Sequence, residues 1–129
     1  MKINSINQTF NFGAKILNAH RAASKIAKIL NKASNYDVFY TNYCNYEKLC
    51  KEINEILPNN DDEVLFKNVK SLKDEKASYK VSGNITHNGK NEKFEAFIYC
   101  SDGSFIVGKR ILNSMKKAAG IKNTDIFNY

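Results

Sequence analysis

Residues 78–100, SYKVSGNITHNGKNEKFEAFIYC, decide how this chain folds. Apolar and polar side chains alternate on both sides of Asn88-Gly89, a dipeptide that accepts the positive φ angles of a tight hairpin turn. A two-residue loop sets Tyr79 opposite Ile98 and Val81 opposite Ala96, whereas a four-residue loop sets Val81 opposite Ile98 and Ile85 opposite Phe94. The two registers differ by an even step. Either way Tyr79, Val81, Ile85, Phe94, Ala96, Ile98 and Cys100 share the core face, and Lys80, Lys93, Phe97 and Tyr99 share the other.

Outward from the hairpin, residues 63–72 and 104–107 read as two further strands, set off by Asp74-Glu75 and Asp102-Gly103 turn signals. Phe105 and Val107 then join the core face and Ile106 the outer one. Upstream, residues 38–57 read as a helix opened by Asp37 and stopped before Pro58, with Phe39, Tyr43, Tyr46, Cys50, Ile53 and Leu57 forming one seam. Asn59 to Asp62 make a polar turn. From Gly13 to Ala33 the periodicity predicts another helix, with Ile16, Ala19, Ala23, Ile26, Ala27, Leu30 and Ala33 on one face and Arg21, Lys25, Lys28 and Lys32 on the other. Residues 109–119 read as a short basic helix with Gly120 as its C-cap. The expected architecture is a single α+β domain over residues 13–120. Two N-terminal helices and a short C-terminal helix pack on a four-stranded antiparallel meander, with residues 1–12 an extended arm and 121–129 a tail.

With 129 residues, 43% of them hydrophobic, the chain holds enough apolar material for one core and too little length for a multidomain enzyme. No apolar stretch approaches the roughly 20 residues of a membrane-spanning helix. The net charge of +7 favours anionic partners, and its distribution is uneven. Residues 1–36 carry six bases and no acid, residues 37–63 seven acids against two bases, and residues 64–129 twelve bases against six acids. Cys44, Cys50 and Cys100 are an odd number with no Cys-x-x-Cys spacing, so they suggest neither a disulfide framework nor a zinc site and fit a reducing cytoplasm. The acid-free N-terminal helix has the outline of a transit peptide, but with lysine where arginine is usual.

No reaction centre emerges. Gly103 to Arg110 fits the Gly-x4-Gly-Lys part of a phosphate loop, yet Arg110 stands where a Ser or Thr should hold magnesium, and Phe105-Ile106-Val107 reads as strand. His87 and Cys100 lie at opposite ends of the hairpin, roughly 25 Å apart at strand rise, too far for a dyad. His20 is placed to approach Cys44 or Cys50, with no third group to orient it. Asp61, Asp62 and Glu63 lack the spacers and glycine of a cation loop. The expectation is a non-enzymatic protein without cofactor or metal.

Basic residues and rings remain. Arg21, Lys25, Lys28 and Lys32 form a stripe one helix long, and Lys109, Arg110, Lys116 and Lys117 lie on the last helix. On the outer sheet face Lys93 stands beside Phe97 and Tyr99. The strand and helix order from Ser78 to Ala119, with Phe94-x3-Ile98-x-Cys100 and bases opening the last helix, resembles the C-terminal part of a double-stranded-RNA-binding domain over about a third of the chain. It departs from that family in lacking the lysine run and glycines before the helix, and in an extra strand between the second helix and the hairpin. These eleven residues are the candidate partner-binding set. The first expectation is a small adaptor, inhibitor or accessory subunit that meets an acidic protein surface. The alternative is a basic nucleic-acid-binding module using the helix-borne lysines. A homodimer is compatible with both.

Overall fold

The computed structural model describes residues 13–37, 43–73 and 77–123. The hairpin takes the two-residue loop: β3 (Ala77–His87) and β4 (Lys90–Tyr99) pair antiparallel with Tyr79 opposite Ile98 and Val81 opposite Ala96. Asn88 and Gly89 supply the positive φ values, 53° and 80°, that this turn requires. β2 (Glu63–Ser71) pairs antiparallel with β3 and carries a bulge between Phe66 and Asn68. The extra residue resets the alternation, so Val69 faces the core in phase with Val64 and Phe66. Gly83 sits at the centre of the sheet because a Cβ there would lie 2.0 Å from the Leu65 carbonyl and 2.8 Å from the Phe94 ring. Phe94 in turn meets Phe66 edge-on at 5.9 Å.

The fourth strand is not the expected one. It is β1 (Lys15–Asn18), parallel to β2, and it makes the sheet mixed, in the order β1-β2-β3-β4. The helix predicted over residues 13–33 is therefore split in two. His20 and Arg21, at φ 52° and 59°, turn the chain sharply, and α1 (Ala22–Ala33) starts only after them. Asn18 bridges the break, its Oδ1 accepting the Ala23 N–H at 3.2 Å. Apolar residues at Ile16, Ala19 and Ala23 fit a helical face as well as a short strand followed by a helix. The competition was settled by the β2 edge, which takes up the backbone of residues 15–19.

Residues 104–107 open α3 (Ser104–Ala119) instead of forming a strand, so Phe105, Ile106 and Val107 belong to the helix layer and not to the sheet. Asp37, expected to open the second helix, lies across the N-terminus of α3. It accepts the Ser104 hydroxyl at 2.5 Å and the Phe105 N–H at 3.1 Å, and Ser104 Oγ accepts the Cys44 N–H at 2.8 Å. α2 runs over Tyr46–Ile56 and is capped by Asn45, which accepts the Lys48 N–H at 2.8 Å. Of its predicted seam, Tyr46, Cys50, Ile53 and Leu57 pack in the core, Tyr43 is exposed ahead of the helix, and Phe39 lies outside the described residues. Cys100, expected on the core face, is exposed beyond the end of β4. The arm of residues 1–12 and the last six residues of the tail also lie outside the described residues.

All three helices pack against one another and on the same sheet face. They enclose a core of Ile16, Ile26, Leu30, Leu49, Ile53, Val64, Phe66, Val81, Ile85, Ile111 and Met115. No helix among the described residues is long and apolar enough to cross a membrane.

Candidate interaction surface

At the end of β4, one carboxylate ties strand, turn and helix together. Asp102 accepts the Tyr99 N–H at 2.9 Å, and its own N–H is donated to the Tyr99 carbonyl at 3.1 Å. The Arg110 side chain reaches from α3 to the same carboxylate, Nε at 2.8 Å and Nη2 at 3.3 Å, a two-pronged grip. The guanidinium then lies over the Tyr99 ring, 4.5 Å from its centroid. An exposed tyrosine is thereby held in place by a helix that the hairpin alone could not provide.

Tyr99 separates two grooves. On one side Glu95, Phe97, Arg110, Asn113, Ser114 and Lys117 border a groove of about 550 Å3 between the free edge of β4 and α3. On the other, Ile29, Lys32, Tyr36, Tyr79 and Ile98 border a smaller one of about 140 Å3. Tyr36, Phe97 and Tyr99, three of the most exposed large rings among the described residues, are 51%, 42% and 37% accessible and all lie on these grooves.

The eleven candidate residues do not form one patch. Lys25, Lys28 and Lys32 are exposed along α1 and Arg21 is exposed just ahead of it, all in the helix layer, while Lys93 lies on the opposite, outer face of the sheet. Lys109 and Arg110 fall in the second turn of α3 and do not open the helix; Lys109 lies over the Phe105 ring at 5.5 Å. Lys116 and Lys117 occupy the last turn, where they complement the helix dipole. What the fold does gather is Phe97, Tyr99, Arg110 and Lys117 around one groove, with Lys32 on the neighbouring one. The N-terminus of α3, a place where an anion would otherwise be welcome, is already occupied by the Asp37 carboxylate.

Sequence reasoning missed Asp37, Asp102 and Asn113. Asp102 was read only as a turn residue, and its partner Arg110 only as a free base. A Tyr-x-x-Asp sequence followed eight positions on by an arginine carries no signal until residues 104–107 are known to be helical. A buried acid was also missed. Asp62, expected in a solvated turn, is buried, with Oδ2 at 2.7 Å from His87 Nδ1 and Oδ1 accepting the Asn88 N–H at 3.2 Å. It fastens the start of β2 to the hairpin turn.

The two buried thiols, Cys44 and Cys50, are placed for packing. Burial, followed by the neighbouring Glu52, pushes the Cys44 thiol up to about 12, so at neutral pH it is a small apolar group and not a nucleophile. Its sulfur is so close to α3 that a Cβ on Gly108 would lie 2.8 Å away. Burial likewise raises the Tyr46 phenol well above its usual range, with the Cys50 thiol beside it adding to the effect. His20 is exposed in the turn after β1. Among the described residues no three His, Cys, Asp or Glu side chains gather as metal ligands. Comparison with protein-family models, with curated proteins and with solved structures gives no match.

Proposed function

We propose that this chain is a small non-enzymatic binding protein that acts through protein–protein contact, as an adaptor, inhibitor or accessory subunit, in a reducing compartment such as the cytoplasm. The observation that carries the reading is the anchored ring at the end of β4: Tyr99, stacked under an arginine that Asp102 holds, between two grooves and beside exposed Phe97 and Tyr36. Tyrosine and arginine held rigid at a surface lose little entropy on binding and dominate the energetics of protein interfaces. The lysines around the grooves favour an acidic partner surface.

The test is capture of partner protein by the intact chain, compared with the Phe97→Ala, Tyr99→Ala double variant, both confirmed folded by circular dichroism. A partner retained by the first and lost by the second is the expected result. Equal capture by both would move the contact elsewhere. The nucleic-acid reading rests on a different surface, the exposed Lys25, Lys28 and Lys32 on α1, with no acid in that helix. It requires oligonucleotide binding that weakens steeply with salt and disappears when these three are changed to Glu, with the Phe97 and Tyr99 variant binding normally.

A further inference from the structure

We propose that the free edge of β4 and the groove beside it receive an extended acidic segment of the partner as a fifth strand. The inference rests on the protein-binding reading above and gives it a mode of recognition. β4 is the last strand of the sheet, so among the described residues one side of its backbone has no neighbouring strand. In a hairpin closed by two residues the flanking pair, His87 and Lys90, exchanges hydrogen bonds, and the pattern then alternates. Lys90, Glu92, Phe94, Ala96 and Ile98 direct their N–H and C=O groups to β3. Asn91, Lys93, Glu95 and Phe97 direct theirs outward. Tyr99, next in that series, has both groups engaged by Asp102, which ends the open edge. The remaining template spans seven residues of extended backbone, long enough for main-chain pairing with a short peptide.

Three further features point to the chemistry of the occupant. The groove between this edge and α3 has a volume of about 550 Å3, room for the side chains of a strand that would otherwise strike the helix. Asn113 borders it, 9% exposed, with both side-chain amide atoms buried and lacking any hydrogen-bond partner. Such a group is costly while it stays unpaired, and a ligand that brings it a partner relieves that cost. Charge supplies the third. Glu95 is offset by Lys80 at 3.5 Å and Arg110 by Asp102, whereas Lys93 on the outer side and Lys117 on the groove side form no ion pair among the described residues. An incoming strand that places acids by these two lysines, an apolar residue against Phe97 and a polar group toward Asn113 complements all of these features. A second copy of the chain would bring Glu92 and Glu95 only together with Lys90 and Lys93, so a foreign segment that carries acids without lysines complements Lys93 and Lys117 better.

The probe is a fluorescein-labelled eight-residue peptide of alternating Glu and Val, titrated into the full chain and followed by fluorescence anisotropy. Saturable binding is expected. It should fall at least tenfold when alternate peptide amides are N-methylated, because the main-chain bonds are removed while the side chains stay. Glu95→Pro removes an outward N–H without touching the β3 ladder and should cause a comparable loss. Lys93→Glu combined with Lys117→Glu should reverse the preference toward a Lys-Val peptide. Equal binding of the N-methylated peptide overturns the fifth strand. So does binding seen only after truncation at Asn123, which would assign the groove to the chain's own last six residues. A dimer that Glu95→Pro dissociates overturns it as well, in favour of a second copy. A chain that still captures a partner through Phe97 and Tyr99, yet ignores the peptide, refutes this mode of binding and leaves the protein-binding reading intact.

Discussion

The two edges of the sheet are built on opposite principles. β1 is four residues long, parallel to its neighbour, and ends at two consecutive left-handed residues that turn the chain away into α1. β4 is ten residues long, nearly straight in register with β3, and has its outward backbone groups exposed beside a groove. A short edge that ends in a turn offers little to pair with. A long one is an aggregation hazard unless charges or a cover protect it. Along β4 the outward-facing side chains include Lys93 and Glu95, which deter indiscriminate pairing, and the end is closed by Asp102. The contrast indicates where the molecule has been left open and where it has been shut.

The largest disturbance of this contrast should come from the strand between the two halves. Gly83→Ala places a Cβ against the Leu65 carbonyl and the Phe94 ring, so β2 and β3 must part and both edges lose their support. The expected cost is about 3 kcal/mol, read as a lower midpoint in urea unfolding. An unchanged midpoint would mean that the sheet centre yields more easily than its geometry implies.

Alkaline titration probes the helices under the sheet. The Cys44 thiol rises from 9.0 to about 12 on folding, so the folded state holds its proton more tightly than the unfolded state. Its contribution to stability is complete below pH 9 and is lost as pH climbs toward 12. The raised Tyr46 phenol acts in the same direction. Thermal midpoints should therefore fall through that window, and Cys44→Ala should flatten the fall. At pH 8, Cys44 in the folded chain should react with iodoacetamide far more slowly than exposed Cys100, as measured by peptide mass mapping.

Smaller effects separate the edges individually. Asp37→Ala strips the cap from α3, the helix that walls the β4 groove, and should cost about 1–2 kcal/mol in thermal unfolding while the β1 side is unaffected. At the β1 edge, Arg21→Gly should do the reverse. Glycine tolerates the φ of 59°, so the variant should gain about 0.5–1 kcal/mol, and a loss instead would mean that the arginine side chain makes up for its own strain.

The ease with which each edge could be read differs for the same physical reasons. β4 and its hairpin follow from Asn88-Gly89 and a period of two, signals carried within about twenty residues. The helical seam from Tyr46 to Leu57 was equally plain because its spacing is local. β1 was hidden, since four residues with apolar Ile16 and Leu17 continue into a helical pattern without a glycine or proline to mark the break. Residues 104–107 misled in the opposite direction, because Phe105-Ile106-Val107 has the β-branched and aromatic character of a strand. The individual site residues Phe97, Tyr99, Arg110 and Lys117 were identified from type and charge. Their assembly around one groove was not, and of the stripe formed by Arg21, Lys25, Lys28 and Lys32 only Lys32 borders a groove, the neighbouring one.

The sequence by itself determined the α+β class, the hairpin and the faces of β3 and β4 in either register, and the Gly120 helix stop, because turn chemistry and side-chain period act over neighbouring residues. Only the tertiary structure decided that residues 15–18 are a strand, that Ser104 starts a helix, and that the groove beside β4 exists. Each of those outcomes depends on a partner far along the chain: Val64 for Ile16, Asp37 for Ser104, and α3 for the edge of β4. A local pattern that suits two conformations is resolved by whichever distant backbone or carboxylate satisfies its hydrogen bonds.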